Sequence, residues 1–148
     1  MKARLRPAFF LLVLIRILKM RKVLKNLEWI SQKLECDAEA TAKLLGMFCE
    51  VRENKGQTVY TRSKFMESKL CCYIAVVALH LHDFSISKDV HSRLCTDLRL
   101  NAAQLNSFFK QAGATIKSGK ALDATVVTLD VPLKFPKLDE LVKRKRRG

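Results

Sequence analysis

The sequence predicts a mainly α-helical chain with two small β-hairpins, and two observations support this fold class. Apolar residues recur at helical spacing over three successive segments, after which the pattern changes to the short runs typical of strands. The same succession of three helices and a hairpin then occurs a second time within the 148 residues. Three helices followed by a hairpin is the order of elements in a winged helix. We therefore predict a tandem of two winged-helix units, which share this order and no obvious sequence repeat.

The first predicted unit covers residues 1–60. Asn26 and Asp37 can each cap the helix that follows, because their side-chain oxygens can accept hydrogen bonds from amides at a helix start. In the first helix, four apolar residues at helical spacing are expected to face the core: Leu11, Leu14, Ile15 and Leu18. The predicted elements are three helices, over residues 8–24, 27–35 and 38–46, and two strands, over 47–51 and 58–60.

The second predicted unit covers residues 61–136, and a basic tail follows over 137–148. Asn101 is expected to cap the third helix of this unit, and Gly113 is expected to end it. A helix capped by Ser85 or Ser87 precedes it. The predicted elements are three helices, over residues 62–83, 85–98 and 102–112, and two strands, over 114–117 and 123–131.

The apolar run at the N-terminus has two interpretations. Basic residues precede the run at 7–15, as they do in a signal peptide. However, Arg16 interrupts the run, more basic residues follow, and no small-residue cleavage site is visible. The run is also shorter than the roughly 20 apolar residues that span a bilayer. We therefore expect a retained helix buried against the first unit and no membrane partner, with a targeting or membrane segment as the alternative.

The net charge of +14 is concentrated at the two ends of the chain. Residues 1–25 carry eight basic side chains and no acidic one, and residues 134–148 carry seven basic and two acidic ones. The 13 basic and 12 acidic side chains of residues 26–133 leave a net charge of only +1 there. A basic excess of this kind attracts nucleic acid, an anionic membrane surface or an acidic protein. Charge alone does not distinguish between these partners.

No motif in the sequence indicates catalysis or a cofactor. The five cysteines lack the C-x-x-C spacing of a zinc site, and their odd number suits a reducing compartment better than a disulfide framework. His80 and His82 diverge on a helix, so they cannot share one ligand face, and His80 is expected at the core or its boundary. The sequence also lacks a glycine-rich phosphate loop and an H-E-x-x-H motif. We predict a non-enzymatic protein with no metal, cofactor or small-molecule substrate.

Three segments resemble a known family. The first is Cys72-Tyr73-Ile74-Ala75-Val76-Val77-Ala78-Leu79-His80-Leu81-His82-Asp83-Phe84, the second is Asp97-Leu98-Arg99-Leu100-Asn101 followed by Leu105 and Phe108-Phe109, and the third is Thr128-Leu129-Asp130-Val131-Pro132-Leu133-Lys134-Phe135-Pro136. They resemble the C-terminal tandem winged-helix region of the larger, 49-kilodalton type subunit of the RNA polymerase I-specific heterodimer. The resemblance covers about residues 25–148, and residues 1–24 match poorly.

This resemblance implies a nuclear and nucleolar protein that supports initiation and elongation by RNA polymerase I. The implied partners are DNA near the polymerase cleft and the core subunits of the enzyme. The family's N-terminal half, which pairs with the smaller subunit, has no counterpart in these residues. Two alternatives remain open at this point. One is a free-standing winged-helix regulator that reads a specific DNA site, and the other is a protein-interaction scaffold.

Candidate DNA contacts follow from how winged helices bind, with the third helix in the major groove and the hairpin over phosphates. Polar and basic residues at these places form the predicted DNA-binding set: Lys43, Arg52, Lys55, Gln104, Lys110, Lys117 and Lys120. A five-residue basic run in the tail is predicted to serve nuclear import or phosphate contact: Lys143, Arg144, Lys145, Arg146 and Arg147. Only Lys110 is charged on the second unit's third helix, so little base-specific readout is expected.

Overall fold

The computed structural model describes residues 2–121, 124–133 and 135, which form six helices and six short strands. The chain is therefore mainly helical with small antiparallel sheets, as predicted. It divides into two compact units: the N-terminal unit ends at Ile74 and the C-terminal unit begins at Ala75. The predicted boundary, after residue 60, lies ahead of the long apolar helix. In the structure the division falls inside that helix.

The N-terminal unit contains three complete helices, a three-stranded sheet and the start of a fourth helix. Its elements are α1 (Lys2–Lys19), β1 (Val23–Leu24), α2 (Leu27–Leu34), α3 (Ala38–Phe48), β2 (Glu50–Asn54), β3 (Gln57–Thr61) and the first part of α4 (Lys64–Leu81). The strand order is β1-β3-β2, and both pairings are antiparallel.

The hairpin β2–β3 closes through the two-residue turn Lys55-Gly56. Both residues have positive φ angles, 50° and 76°, which is the conformation that two-residue hairpin turns favour. The predicted strand over 47–51 was wrong at its start, because Met47 and Phe48 form the last turn of α3. Strand β1 was not predicted, since two residues are too short to show alternation.

The N-caps of this unit are confirmed. The side chain of Asn26 accepts a hydrogen bond from the amide of Trp29 at 2.9 Å, and that of Asp37 accepts one from the amide of Ala40 at 2.7 Å. These bonds satisfy amides that lack a partner within the helix. Local side-chain chemistry therefore fixes where α2 and α3 begin.

The buried face of α1 differs from the predicted one. Val13, Leu14 and Ile17 are 1%, 0% and 0% exposed, whereas the predicted Leu11, Ile15 and Leu18 are only partly buried. Every residue from 8 to 15 is apolar, so the sequence does not specify which face of the helix turns inward. None of the helices in the described part of the chain is long and apolar enough to cross a membrane.

Arg62 holds the end of α1 in place. Its guanidinium is buried and donates hydrogen bonds to the carbonyl oxygens of Ile17 at 2.6 Å, Leu18 at 3.0 Å and Met20 at 2.8 Å. Its backbone amide also donates to the carbonyl oxygen of Lys22 at 2.8 Å. The last carbonyls of a helix have no partner within it, so a distant arginine here completes α1 and positions β1.

The C-terminal unit repeats the element order. It contains the end of α4 followed by β4 (Ser85–Ser87), α5 (Lys88–Leu98), α6 (Ala102–Gln111), β5 (Thr115–Ile116) and β6 (Thr125–Thr128). Its strand order is β4-β6-β5, so in each unit the last strand lies between the other two. Strand β4 was not predicted. Of the two serines predicted as caps of the next helix, Ser85 pairs with β6, and Ser87 is the residue that precedes α5.

The predicted caps of the C-terminal unit are also present. Ser87 caps α5, with its hydroxyl accepting from the amide of Val90 at 3.4 Å. Asn101 caps α6 and forms a reciprocal pair with Gln104, whose side-chain oxygen accepts from the amide of Asn101 at 3.0 Å. Gly113 follows α6 with a φ of 87°, and a Cβ atom there would lie 3.2 Å from the ring of Phe135. Only glycine fits this position without strain.

The environment predicted for His80 was wrong, and a different histidine is buried. His80 is exposed in the last turn of α4, where its ring contacts that of Phe84 at a centroid distance of 5.9 Å. The expectation of a core or boundary position was therefore wrong. His91 is the buried histidine, and its Nε2 atom lies 2.8 Å from Oδ1 of Asn106 on α6. The two helices α5 and α6 are thus joined by a polar contact that sequence spacing does not reveal.

Candidate nucleic-acid interface

On the N-terminal unit, the predicted DNA-binding residues lie on a surface of mixed charge. Lys43 on α3 forms an ion pair with Glu39 at 2.7 Å, and Arg52 on β2 forms one with Glu50 at 3.2 Å. Both pairs are largely exposed, so each contributes little energy and a phosphate can compete for the basic side chain. Lys55 is exposed at the tip of the hairpin. This surface can meet a phosphate backbone only at the expense of its own ion pairs.

On the C-terminal unit, the corresponding helix carries no acidic residue. Helix α6 has the sequence AAQLNSFFKQ, and Lys110 is exposed in its last turn. The other polar side chains of its exposed side are engaged locally. Gln104 belongs to the capping pair, and the side-chain amide of Gln111 donates to the hydroxyl of Ser107 at 3.4 Å. The lysine is therefore the group of this helix that is best placed for a phosphate.

The segment between β5 and β6 adds further lysines to this unit. Lys117 and Lys120 are exposed, and the amide of Lys117 donates to the carbonyl oxygen of Val126 at 2.7 Å, which holds the backbone at the start of the segment. Lys88, the first residue of α5, was not among the predicted DNA-binding residues. Its ammonium donates to the carbonyl oxygen of Lys120 at 3.1 Å, so this charge lies beside the segment between β5 and β6. A separation of 32 residues along the chain hid this hydrogen bond from sequence reasoning.

A second basic surface lies at the junction of α1, β1 and α2, and it was not among the predicted DNA-binding residues. It is an open groove of about 840 Å³, and none of its eight lining residues is acidic: Arg21, Lys22, Val23, Leu24, Lys25, Asn26, Trp29 and Ile30. Trp29 is 48% exposed. The signal in the sequence was the spacing Arg21-Lys22-x-x-Lys25 just before an exposed aromatic residue.

The cysteines of both units share one electrostatic feature. Burial raises the pKa of each thiol above its ordinary value: Cys36, Cys49, Cys71, Cys72 and Cys95. The largest effect is at Cys71, where burial and, secondarily, the carboxylate of Glu67 raise the pKa to about 11. A thiol is a nucleophile and a metal ligand as the thiolate, so these five are poorly suited to either role at neutral pH. Within the described ranges, no three His, Cys, Asp or Glu residues cluster as metal ligands.

The predicted basic run of the tail falls outside the described residues. Lys143, Arg144, Lys145, Arg146 and Arg147 therefore remain a prediction from sequence, for nuclear import or for phosphate contact. The other predicted DNA-binding residues all lie in the described part, on α3, on α6 and on the two hairpins.

The chain is similar to known proteins over most of its length. The profile of the family described as A49-like RNA polymerase I associated factor matches residues 1–136. A human protein named DNA-directed RNA polymerase I subunit RPA49 is 30% identical over 112 residues, which are 70% of this chain and 26% of that relative. The chain thus spans about a quarter of the length of this relative. The family match begins at residue 1, so it includes α1, which the resemblance seen in the sequence did not. The chain belongs to the family of A49-like RNA polymerase I associated factors.

Proposed function

We propose that this chain is a non-catalytic accessory subunit of RNA polymerase I that binds DNA largely without sequence preference and supports initiation and elongation on ribosomal RNA genes. The proposal rests on one structural observation within this family: the order helix, strand, two helices, two strands occurs twice, with the last strand central in both sheets. We infer that both units are winged helices, with β2–β3 and β5–β6 as their wings. The implied partners are DNA and polymerase core subunits, and the implied location is the nucleolus.

The chemistry of α6 supports binding through phosphates. Arginine, asparagine and glutamine read bases when their side chains are free to reach base edges. On α6, Gln104 and Gln111 have local hydrogen-bond partners and Lys110 carries the charge. Lys117 and Lys120 on the wing can release counterions from the duplex, which makes binding strongly dependent on salt. The predicted contacts on the other unit are Lys43, Arg52 and Lys55.

The test is fluorescence anisotropy with two labelled duplexes, a ribosomal promoter fragment and a scrambled fragment of equal composition. We expect both to bind with similar dissociation constants, on the order of 1 to 100 μM at physiological salt. The double variant K117Q/K120Q should flatten the salt dependence by about one unit of slope for each lysine. A thousandfold preference for one duplex would instead support a site-specific regulator. Binding of neither duplex would contradict the DNA-binding proposal and favour a protein scaffold.

The polymerase assignment has its own test. The tagged full chain is incubated in nuclear extract, and recovery of RNA polymerase I core subunits is compared with that of polymerase II subunits. Selective recovery of the former supports the proposal. A chain lacking residues 143–148 should still recover them but accumulate less in the nucleus, because the deleted run is the proposed import signal. Failure of the intact chain to recover any polymerase I subunit would contradict the assignment.

A further inference from the structure

We propose that the groove at the junction of α1, β1 and α2 binds single-stranded nucleic acid, with a base stacked on Trp29. This inference deepens the proposed nucleic-acid function, but it uses residues that precede α3 and the hairpin β2–β3 in the chain, on the opposite edge of the sheet from β2. The groove combines the two features that sequence-tolerant single-strand sites share, cationic side chains for the backbone and an aromatic side chain for the bases.

The charges of the groove fit a polyanion. Arg21, Lys22 and Lys25 line it within five residues of chain, and all three are exposed. This stretch can extend over at most roughly 13 Å at the rise of a strand, which corresponds to about four stacked nucleotides. Lys22 also contacts the carboxylate of Glu67 at 3.3 Å, in an exposed pair that a phosphate can replace.

The aromatic component is accessible from the groove. Trp29 lines the groove and is 48% exposed, and Lys33 adds a further cation 5.8 Å from the centroid of its ring. Beside the ring, Val23 is half exposed and Leu24 and Ile30 form a buried apolar floor. A base has an apolar face of matching character, and one well-stacked base on an aromatic side chain typically accounts for about a tenfold or larger gain in affinity.

The groove is also rigidly framed. The bonds from Arg62 to the carbonyl oxygens of Met20 and Lys22 fix the turn that displays Arg21 and Lys22. The hydrogen bond between Asn26 and the amide of Trp29 fixes the first turn of α2 and with it the backbone at the aromatic residue. Binding at a preformed surface loses less conformational entropy than binding at a loose one.

Trp29 is the sole tryptophan of the chain, so its intrinsic fluorescence reports on the groove directly. The full chain is titrated with a 15-residue oligothymidine and with a 15-residue oligouridine, and separately with polyglutamate. We expect both oligonucleotides to quench the emission, because a stacked base quenches it, and polyglutamate to leave it largely unchanged. Quenching by only one oligonucleotide still supports the site and identifies DNA or RNA as its ligand. An equal response to polyglutamate would overturn the proposal in favour of an acidic protein partner.

Variants separate this site from the wings. With end-labelled oligothymidine, W29L should weaken binding by about tenfold or more and W29F by less, because phenylalanine retains a stacking face. The variant R21Q/K25Q should lower the salt dependence by about two units of slope, one for each cationic side chain that no longer meets a phosphate. Unchanged melting temperature and unchanged duplex binding are the controls for folding.

The variant K117Q/K120Q completes the comparison. It should weaken duplex binding and leave oligothymidine binding intact if the groove and the wings are separate sites. Loss of duplex binding in K117Q/K120Q together with wild-type oligothymidine affinity in W29L would overturn the groove and retain the proposed function. The reverse pattern, with an effect of W29L alone, would retain the groove and contradict the proposed wing contacts.

Discussion

The two units have the same order of elements and place their charges differently. In the N-terminal unit, α3 and its hairpin contain carboxylates that pair with Lys43 and Arg52. The groove at Trp29 is lined by basic side chains and no acidic one, although Lys22 pairs with Glu67 beside it. In the C-terminal unit, α6 has no acidic residue, and the lysines gather at its end and along the segment between β5 and β6. Repetition of a fold therefore does not repeat its electrostatics. Each unit must be tested for its own binding face.

The units also complete their first helices by different means. Helix α1 ends at carbonyl groups that are satisfied by a side chain 42 to 45 residues away. Helix α4 ends through its own backbone, where Asp83 and Phe84 take left-handed conformations and the amide of Phe84 donates to the carbonyl oxygen of Leu79 at 2.7 Å. The end of α1 therefore depends on one distant side chain, whereas the end of α4 depends on the local backbone geometry. Substitutions should therefore affect the two ends unequally.

The substitution R62M should have the strongest effect on stability. Methionine fills the volume but removes the charged donor from three carbonyl groups at the end of α1. The carbonyl of Ile17 keeps the amide of Met20 as a partner, whereas those of Leu18 and Met20 lose the guanidinium, and a hydrogen bond to a charged group is worth about 1.5–3 kcal/mol. We expect the free energy of unfolding of the N-terminal unit to fall by roughly 3 kcal/mol or more. Urea unfolding followed by the fluorescence of Trp29 measures this unit selectively, because the C-terminal unit has no tryptophan.

The matched control for R62M is R99M in the C-terminal unit. Arg99 is exposed and its guanidinium has no structural role among the contacts of the described residues, so this change should alter stability by less than about 0.5 kcal/mol. Its unfolding is followed by circular dichroism, because the fluorescence of Trp29 does not report on the C-terminal unit. An R62M variant as stable as the wild type would show that solvent satisfies those carbonyls and that the hydrogen bonds of Arg62 are not essential.

The next effect concerns the affinity of each unit for duplex DNA. K117Q/K120Q removes two lysines from the segment between β5 and β6 of the C-terminal unit, whose helix α6 has no acidic residue, and K43Q/K55Q removes two from the mixed face of the N-terminal unit. We expect about a tenfold loss of affinity for the first pair and a smaller one for the second, because Lys43 is already held by Glu39 and its contribution to phosphate binding is partly offset by that carboxylate. Anisotropy titrations at two salt concentrations measure both. Equal losses would remove the distinction between the units.

Local chemistry made much of the fold predictable. Asn26, Asp37 and Asn101 act over three residues of chain, so the starts of three helices could be read directly from the sequence. The short strands β1 and β4 could not, because each is defined by pairing with a strand about 40 residues away. The hydrogen bonds of Arg62 could not be predicted either, because their acceptors lie 42 to 45 residues away in the chain.

The candidate sites were predictable to a smaller degree. The predicted lysines follow from where a third helix and a wing are expected, and in the structure they lie on α3, on α6 and on the segments that join β2 to β3 and β5 to β6. The groove at Trp29 depends on how the end of α1 turns into β1, which Arg62 fixes from a distance. A basic cluster beside a tryptophan was visible in the sequence, but the sequence did not show that these residues line one surface.

A weaker effect is expected at the starts of the third helices. Asp37 and Asn101 hold equivalent positions in the two units, and each accepts one hydrogen bond from an amide in the first turn. Replacement by alanine should cost about 1 kcal/mol at either position, and N101A should cost slightly more because it also breaks the reciprocal pair with Gln104. Urea unfolding of the single variants measures this. N101G should cost only a few tenths of a kcal/mol, and a larger loss would indicate that Asn101 has contacts beyond the cap.

The weakest effect concerns buried polar groups, and it has the opposite sign. In the C-terminal unit, buried His91 is paired with Asn106, whereas in the N-terminal unit the hydroxyl of fully buried Thr41 has no hydrogen-bond partner among the described residues. Valine has the shape of threonine without the hydroxyl and a similar helix propensity. T41V should therefore stabilise the N-terminal unit by about 0.5–1 kcal/mol, since it removes the cost of burying an unpaired polar group. The control T41S retains the hydroxyl and loses a methyl group, so it should destabilise the unit by about 1 kcal/mol. If T41V is instead less stable than T41S, the hydroxyl of Thr41 has a hydrogen-bond partner. The buried polar groups of the two units would then not differ in this respect.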